Sequence, residues 1–177
     1  IANCAYTPAR AQAHQWITDQ RDTFLQQGTL IAGLVVSNHA DTQAFARQLL
    51  NTAILDDATA RSLIGRILAA LLSLDEHQGA LARDAAETLR IGFTPQLRSL
   101  RLEIILDLLQ HPLPELQTLG AQILLNHETP VVDLPAGLID ALLSSPHESV
   151  RVIGVRLFGQ LPDEQLLQKS QLLITLA

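Results

Sequence analysis

Histidine is the side chain in this sequence best suited to chemistry, because imidazole can bind a metal ion and exchange protons near neutral pH. Four of the six histidines stand near the starts of predicted helices, in successive apolar segments: His39, His77, His111 and His147. The nitrogen ligands of a zinc ion lie about 2.0–2.1 Å from it, whereas neighbouring packed helices are about 8–10 Å apart. Equivalent positions in successive helices therefore cannot meet at one ion. We interpret these histidines as turn residues and predict neither a metal site nor a cofactor.

Adjacent carboxylates are the second set of residues that could act chemically, as general acids or bases. The pairs are Asp56–Asp57, Asp75–Glu76 and Asp163–Glu164. Such catalysis needs two carboxylates held at facing positions in a cleft. Each of these pairs instead precedes or opens a predicted helix, where the helix dipole favours negative charge. The helix-start interpretation explains them without further assumptions.

Motifs for nucleophilic or phosphate chemistry are missing from the sequence, which contains no HExxH, GxxxxGK or GxSxG pattern. Cys4 is the single cysteine, so no disulfide can form within the chain. No base stands near Cys4 in the sequence to activate its thiol. We predict that the chain is not an enzyme.

The elements that carry these residues are predicted to be helices throughout. The 177 residues are 47% hydrophobic, 17% charged and 3% aromatic, and a core rich in leucine and alanine favours helices packed on helices. Thr7 is predicted to cap a first helix over 8–27, with Pro8 in its first turn and Gly28 after its end. Further helical segments are predicted at 29–36, 40–51, 57–74, 79–91, 95–110, 113–126, 135–144, 147–160 and 163–176. The prolines in 129–135 favour a loop over a strand there, so the predicted fold class is all-α.

Three of these segments are weak copies of one pattern: SNHADTQAFARQLLN (37–51), HPLPELQTLGAQILL (111–125) and SPHESVRVIGVRLFG (145–159). Aligned without gaps, they place apolar residues together in three columns: Phe45, Leu119 and Ile153; Leu49, Ile123 and Leu157; Leu50, Leu124 and Phe158. A small residue recurs beside them, at Ala46, Gly120 and Gly154, which lets a neighbouring backbone approach closely. Asp41, Glu115 and Ser149 share a first-turn column, and a fourth copy places Leu81, Ala82, Ala85 and Ala86 in the apolar and small columns. A unit repeated in this way buries its apolar face only against the next unit, which predicts stacked helix hairpins.

Residues 134–165, LPAGLIDALLSSPHESVRVIGVRLFGQLPDEQ, resemble a HEAT repeat: an apolar helix, a short polar turn with proline, then Val-Arg and a small residue. The resemblance implies an α-solenoid of antiparallel helix hairpins in a single domain over 1–177. Its parts would be an N-terminal helix (8–27), four repeats (29–51, 57–91, 95–126 and 134–160) and the start of a further repeat (163–176). It also implies that Arg151 is structural and bonds the adjacent turn. Because Gln43 and Gln117 occupy the column of Arg151, we expect this set of bonds to be incomplete.

Charge and hydropathy restrict the partners. The net charge of −6 argues against a nucleic acid, whose phosphates favour a basic surface. No apolar run reaches the roughly 18 residues needed to span a bilayer, and no signal peptide stands at the start, so we expect a cytoplasmic location. The sequence begins at Ile1 and contains no methionine, from which we expect a segment of a longer chain.

The function that the resemblance favours is a non-enzymatic scaffold that binds a protein or a peptide. Two alternatives stay open: a HEAT-like lyase or chaperone subunit for tetrapyrrole attachment, and a HEAT-like DNA glycosylase, which would need a basic and aromatic concave surface. A purely structural spacer, which binds nothing, is a further alternative.

A binding groove is predicted along the second helices of the repeats, which line the concave side in HEAT-like stacks. With the apolar columns inward, positions 43, 47 and 48 and their equivalents point outward. One outward column is Gln48, Asp84, Gln122 and Arg156, and the other is Arg47, Arg83, Ala121 and Val155. At the C-terminal end we expect Leu166, Leu167, Leu173 and Ile174 to lack cover, so that this end self-associates.

Overall fold

Helices are the regular secondary structure of the part of the chain that the computed structural model describes, which is residues 1–168 for the backbone and 1–166 for the side chains. No strand occurs within that range, so the all-α prediction is confirmed. No helix there is long and apolar enough to cross a membrane. The helices are α1 (Thr7–Asp19), α2 (Arg21–Leu25), α3 (Gly28–Val35), α4 (Ala40–Asn51), α5 (Asp57–Leu72), α6 (Gly79–Gly92), α7 (Thr94–Leu97), α8 (Leu102–Gln110), α9 (Pro114–Leu125), α10 (Leu138–Leu143), α11 (Glu148–Phe158) and α12 (Asp163–Gln168), with a 3-10 turn at Val131–Asp133.

The helices contact one another in an order that follows the chain. Neighbours along the chain pair, most extensively α3 with α4, α8 with α9 and α10 with α11. A second set of contacts links helices that are two or three places apart in the chain: α1 lies against α4, α4 against α6, α6 against α9, and α9 against α11. Similarly, α3 lies against α5, and α5 against α7. One apolar core runs from Ile17 in α1 to Leu157 in α11.

The single helix predicted over 8–27 is wrong, because the backbone of Gln20 leaves the helical conformation between α1 and α2. The guanidinium of Arg21, the first residue of α2, donates to the Leu49 carbonyl and to the Thr52 hydroxyl at the end of α4. The predicted cap at Thr7 is also wrong, since Tyr6 takes the N-cap position and Thr7 is the first helical residue.

The helix predicted over 95–110 is interrupted by residues 98–101. The carbonyls of Arg98 and Leu100 bond to a distant loop. The Arg98 carbonyl accepts a hydrogen bond from the Glu128 backbone N–H at 2.9 Å, and the Leu100 carbonyl accepts one from the His127 ring at 2.6 Å. The Arg98 Nε donates in return to the Asn126 carbonyl at 3.2 Å. Tertiary bonds to the loop after α9 therefore divide this segment into α7 and α8.

The C-terminal end differs from the sequence prediction at both of its elements. The helix predicted over 135–144 begins only at Leu138, because Gly137 has a φ of +80° and forms its N-cap. Leu166 in α12 is half-buried against a small separate apolar cluster, so it does not lack cover as predicted. That cluster consists of Ile139, Leu143, Phe158 and Leu161. The side chains of Leu167, Leu173 and Ile174 lie outside the described residues.

Polar contacts join α1 to α4 at the N-terminal end. The buried Arg10 side chain donates to both Asp41 carboxylate oxygens, at 3.1 and 2.9 Å, and to the carbonyls of Cys4 and Ala5. The His14 ring stacks on Phe45 with the ring centroids 4.4 Å apart, and its Nε2 lies 3.1 Å from the Thr42 hydroxyl. Burial lowers the pKa of His14 below its ordinary value; the Asp41 carboxylate opposes this decrease and the Arg10 guanidinium adds to it.

We predict that His14 makes the protein less stable as the pH falls from about 7 to about 5. Because the pKa of His14 is lower in the folded chain, the unfolded chain binds more protons in this range, and its free energy falls relative to the folded chain. Asp41 does not interfere, since the hydrogen bond from Arg10 lowers the pKa of its carboxyl. Urea unfolding of the native chain and of His14→Gln at both pH values measures the effect. The variant is expected to lose less stability on acidification, and an identical loss in the two proteins would contradict the prediction.

Candidate partner-binding groove

Three turns with the same hydrogen bonds lead into second helices of the predicted repeats. They precede α4, α9 and α11 and carry the buried polar residues Ser37, His111 and Ser145. The side chain of each accepts a bond from the backbone N–H two residues further on, at 3.2, 3.1 and 3.2 Å. An imidazole and two hydroxyls thus play one role, and the interpretation of His111 as a turn residue is confirmed.

The backbone carbonyls of these three turn residues are also bound in one way. Each accepts a bond from a side chain six residues later: Gln43 at 2.8 Å, Gln117 at 2.8 Å and Arg151 at 2.9 Å. Arg151 donates in addition to the Pro146 carbonyl, which confirms its structural role. The expectation of an incomplete set is wrong for these turns, because the glutamine amide reaches the same carbonyl as the guanidinium. For the same reason Gln43 is buried and does not point outward as predicted.

The turn before α6 departs from this pattern. Gly79 stands at the position of Gln43 and has no side chain to donate. A Cβ at Gly79 would lie 3.2 Å from the Glu115 carboxylate oxygens, and Glu115 accepts a bond from Arg83 at 3.1 Å. The glycine therefore leaves room for an ion pair between α6 and α9.

The column of small residues lies at close contacts between helices, as predicted. A Cβ on Gly154 would lie 3.0 Å from the carbonyl carbon and Cβ of Leu142 and from the backbone nitrogen of Leu143. A Cβ on Gly120 would lie 3.0 Å from the Cβ of Leu108. These contacts set how closely α8 packs on α9 and α10 on α11.

The two arginines of the predicted groove join successive helices. Arg47 in α4 lies 3.8 Å from the carboxylate of Asp84 in α6 and donates to the Thr88 hydroxyl at 3.4 Å. Arg83 in α6 binds Glu115 in α9. The predicted column containing these arginines is interrupted, because Ala121 is fully buried and not outward.

The groove crosses α6, α9 and α11 as two adjoining clefts of about 370 and 400 Å³. The first, which we call the mixed cleft, is lined by Arg83, Ala86, Glu87, Pro114, Glu115, Thr118, Leu119, Gln122 and Ser149. The second, which we call the basic cleft, is lined by Arg90, Thr94, Leu97, Arg98, Leu119, Gln122, Ile123, Leu125, Asn126, Ile153 and Arg156. Leu119 and Gln122 line both clefts and connect them.

Three of the six predicted groove residues therefore line the clefts: Arg83, Gln122 and Arg156. The other three, Arg47, Gln48 and Asp84, line neither cleft. Gln48 is exposed on α4, while Arg47 and Asp84 pair with each other.

Two of the three carboxylate pairs lie at helix starts, as predicted: Asp56–Asp57 at α5 and Asp163–Glu164 at α12. Asp56 is the N-cap of α5 and accepts from the backbone N–H of Thr59 at 2.9 Å and from its hydroxyl at 2.6 Å, which lowers the pKa of the Asp56 carboxyl. Asp57 pairs with Arg61 one turn later at 2.7 Å. Within the described part of the chain, no three residues among histidine, cysteine, aspartate and glutamate are grouped so that they could hold a metal ion.

Sequence reasoning missed Arg90, Thr94 and Arg98 in the basic cleft. Arg90 lies in the last turn of α6, Thr94 begins α7, and Arg98 directly follows α7 at a position that the prediction placed inside one continuous helix. The break after α7 depends on hydrogen bonds from a loop about 30 residues away, so no local signal marks it. The sequence matches no protein-family model, and neither a curated protein nor a solved structure is significantly similar to it.

Proposed function

We propose that the chain is a HEAT-like α-solenoid that acts as a non-enzymatic scaffold and binds a protein or peptide partner in the groove across α6, α9 and α11. The solenoid part of this proposal is supported by the repeated turns. The turns before α4, α9 and α11 form the same pair of hydrogen bonds. In addition, α4 lies against α6, α6 against α9, and α9 against α11. Units that contact mainly their neighbours in sequence are typical of solenoids.

The observation that carries the binding part is the connection of the two clefts at Leu119 and Gln122. Together they span α6, α9 and α11, which suits an extended segment better than a compact small molecule. Buried apolar side chains, including Leu119, Ile123 and Ile153, form the floor, while amides and charged groups surround it. A mostly apolar centre with a polar rim is typical of surfaces that bind proteins.

Blocking the groove at Gln122 tests the proposal. Gln122 is half-buried where the two clefts meet, so tryptophan at this position should fill both entrances. Peptides are first selected on the native chain from a random library, with members long enough to span both clefts. Their affinities for Gln122→Trp are then measured by fluorescence anisotropy. The selected peptides are expected to bind the variant at least about tenfold more weakly, a loss of about 1.4 kcal/mol.

Glu103→Trp is the matched control, because Glu103 is exposed on α8 and lines neither cleft. Peptides should bind this control as they bind the native chain, and thermal melting should show that both variants fold. Equal weakening by the two tryptophans, or a library that yields no binding peptide, would contradict the proposal.

A further inference from the structure

The basic cleft differs in charge from the rest of this acidic chain. The sequence has 18 acidic residues and a net charge of −6, yet Arg90, Arg98 and Arg156 line the basic cleft, and no aspartate or glutamate among the described residues does. Thr94, Gln122 and Asn126 supply the other polar groups. The cleft is therefore a local positive site on a negative protein.

Two of these three arginines, Arg98 and Arg156, have N–H groups that can bind a ligand. Arg90 is engaged, since it donates to both carboxylate oxygens of Glu87, at 2.9 and 2.6 Å. Arg98 uses its Nε for the Asn126 carbonyl, and the two terminal nitrogens of its guanidinium, which bond no described residue, can bind a ligand. Arg156 is exposed and, among the described residues, forms neither a salt bridge nor a side-chain hydrogen bond. A guanidinium favours carboxylates because its paired N–H groups match the two oxygens.

The floor between these arginines is apolar. Leu97, Leu119, Ile123 and Ile153 line it, each with 6% or less of its surface exposed. A ligand that only carried charge would leave this floor in contact with water. A carboxylate beside an aliphatic or aromatic group would instead satisfy the arginines and cover the floor at the same time.

We propose that the basic cleft binds a peptide segment in which an aspartate or glutamate stands next to a leucine, isoleucine or phenylalanine. This inference rests on the proposed function and names the class of peptide that the groove accepts. It also sets the direction of the peptide, because Glu87 and Glu115 line the adjoining mixed cleft. The acidic end lies over the basic cleft, and a neutral or basic continuation lies over the mixed cleft. A nucleic acid strand is disfavoured because those two carboxylates would face its phosphates.

The peptides selected on the native chain provide the test, and Arg156→Ala is the main variant because Arg156 holds no other described group in place. The expected sequences place an acidic residue beside an apolar one more often than the starting library does. Their affinity should fall at least about tenfold on Arg156→Ala and recover in part on Arg156→Lys, which restores the charge but not the paired geometry. Raising the salt concentration should weaken binding to the native chain more than to Arg156→Ala.

Arg101→Ala is the control, since it removes the same charge from an exposed position outside both clefts, and it should leave the affinities unchanged. Peptides that lose binding on Gln122→Trp but carry no excess of acidic residues, or bind Arg156→Ala as tightly, would overturn this inference and leave the proposed function intact. Peptides indifferent to Gln122→Trp would overturn both. A single-stranded oligonucleotide that binds more tightly than the peptides in the same buffer would also overturn the inference.

Discussion

Valine in place of Gly154 is expected to lower the free energy of unfolding by about 3 kcal/mol. The first added carbon would already lie 3.0 Å from backbone atoms of Leu142 and Leu143. These atoms belong to α10 itself, so they cannot move aside as the end of a flexible side chain can. The added methyl groups would push α10 away from α11 and open the core around Leu157. Urea unfolding, followed by circular dichroism, measures the change.

Gly65→Ala is the control that separates crowding from the loss of a glycine. Gly65 lies inside α5, and a Cβ there would meet nothing within 4 Å. Alanine stabilises an open helical position by about 0.5–1 kcal/mol relative to glycine, so this variant should be more stable than the native chain. If Gly154→Val and the native chain unfold at the same midpoint concentration of urea, α10 does not pack on α11 as closely as the structure shows.

The helices that sequence reasoning predicted well are those whose ends are fixed locally. The segments 40–51 and 79–91 agree with α4 and α6 to within one residue. For α5 the first residue is right, because the Asp56 carboxylate caps it from the adjacent position. Where apolar residues recur at the helical period and a capping residue stands at the end of the segment, the sequence alone predicts the position of the helix.

The breaks inside 8–27 and 95–110 could not be predicted in this way. Residues 98–101 are held out of a helix by partners at 126–128, and the start of α2 is bonded to the end of α4. Such bonds join segments far apart in the sequence, and the apolar period continues across both breaks. Only the packed structure shows them.

The groove was predicted in part, for a related physical reason. The prediction took the outward positions of α4 and assigned the equivalent positions in α6, α9 and α11 to the same surface. This assumes that all four helices expose the same face. In α9 that assumption fails, because α6, α8 and α11 all contact this helix, and Ala121 is fully buried. In α11 no later helix covers the equivalent position within the described residues, and Val155 is 60% exposed.

Leucine in place of Gln43 is expected to lower the free energy of unfolding by about 2 kcal/mol, because it removes the donor to the carbonyl of the buried Ser37. Gln48→Leu is the matched control on the same helix. Its side chain is exposed and makes no hydrogen bond among the described residues, so the change should stay within about 0.5 kcal/mol. Equal losses in the two variants would show that the bond to Ser37 contributes nothing particular.

The equivalent turn before α11 extends this prediction to the repeat itself. If the three turns are structurally interchangeable, Arg151→Gln should keep the bond to the Ser145 carbonyl, as Gln43 and Gln117 do in their own turns. We expect its stability to stay within about 0.5 kcal/mol of the native chain, whereas Arg151→Leu should lose about 1 kcal/mol. Urea unfolding of both variants measures the difference. A loss as large in Arg151→Gln as in Arg151→Leu would mean that the shared hydrogen bonds do not make these turns equivalent, and the case for a repeated unit would then rest on the glycine contacts alone.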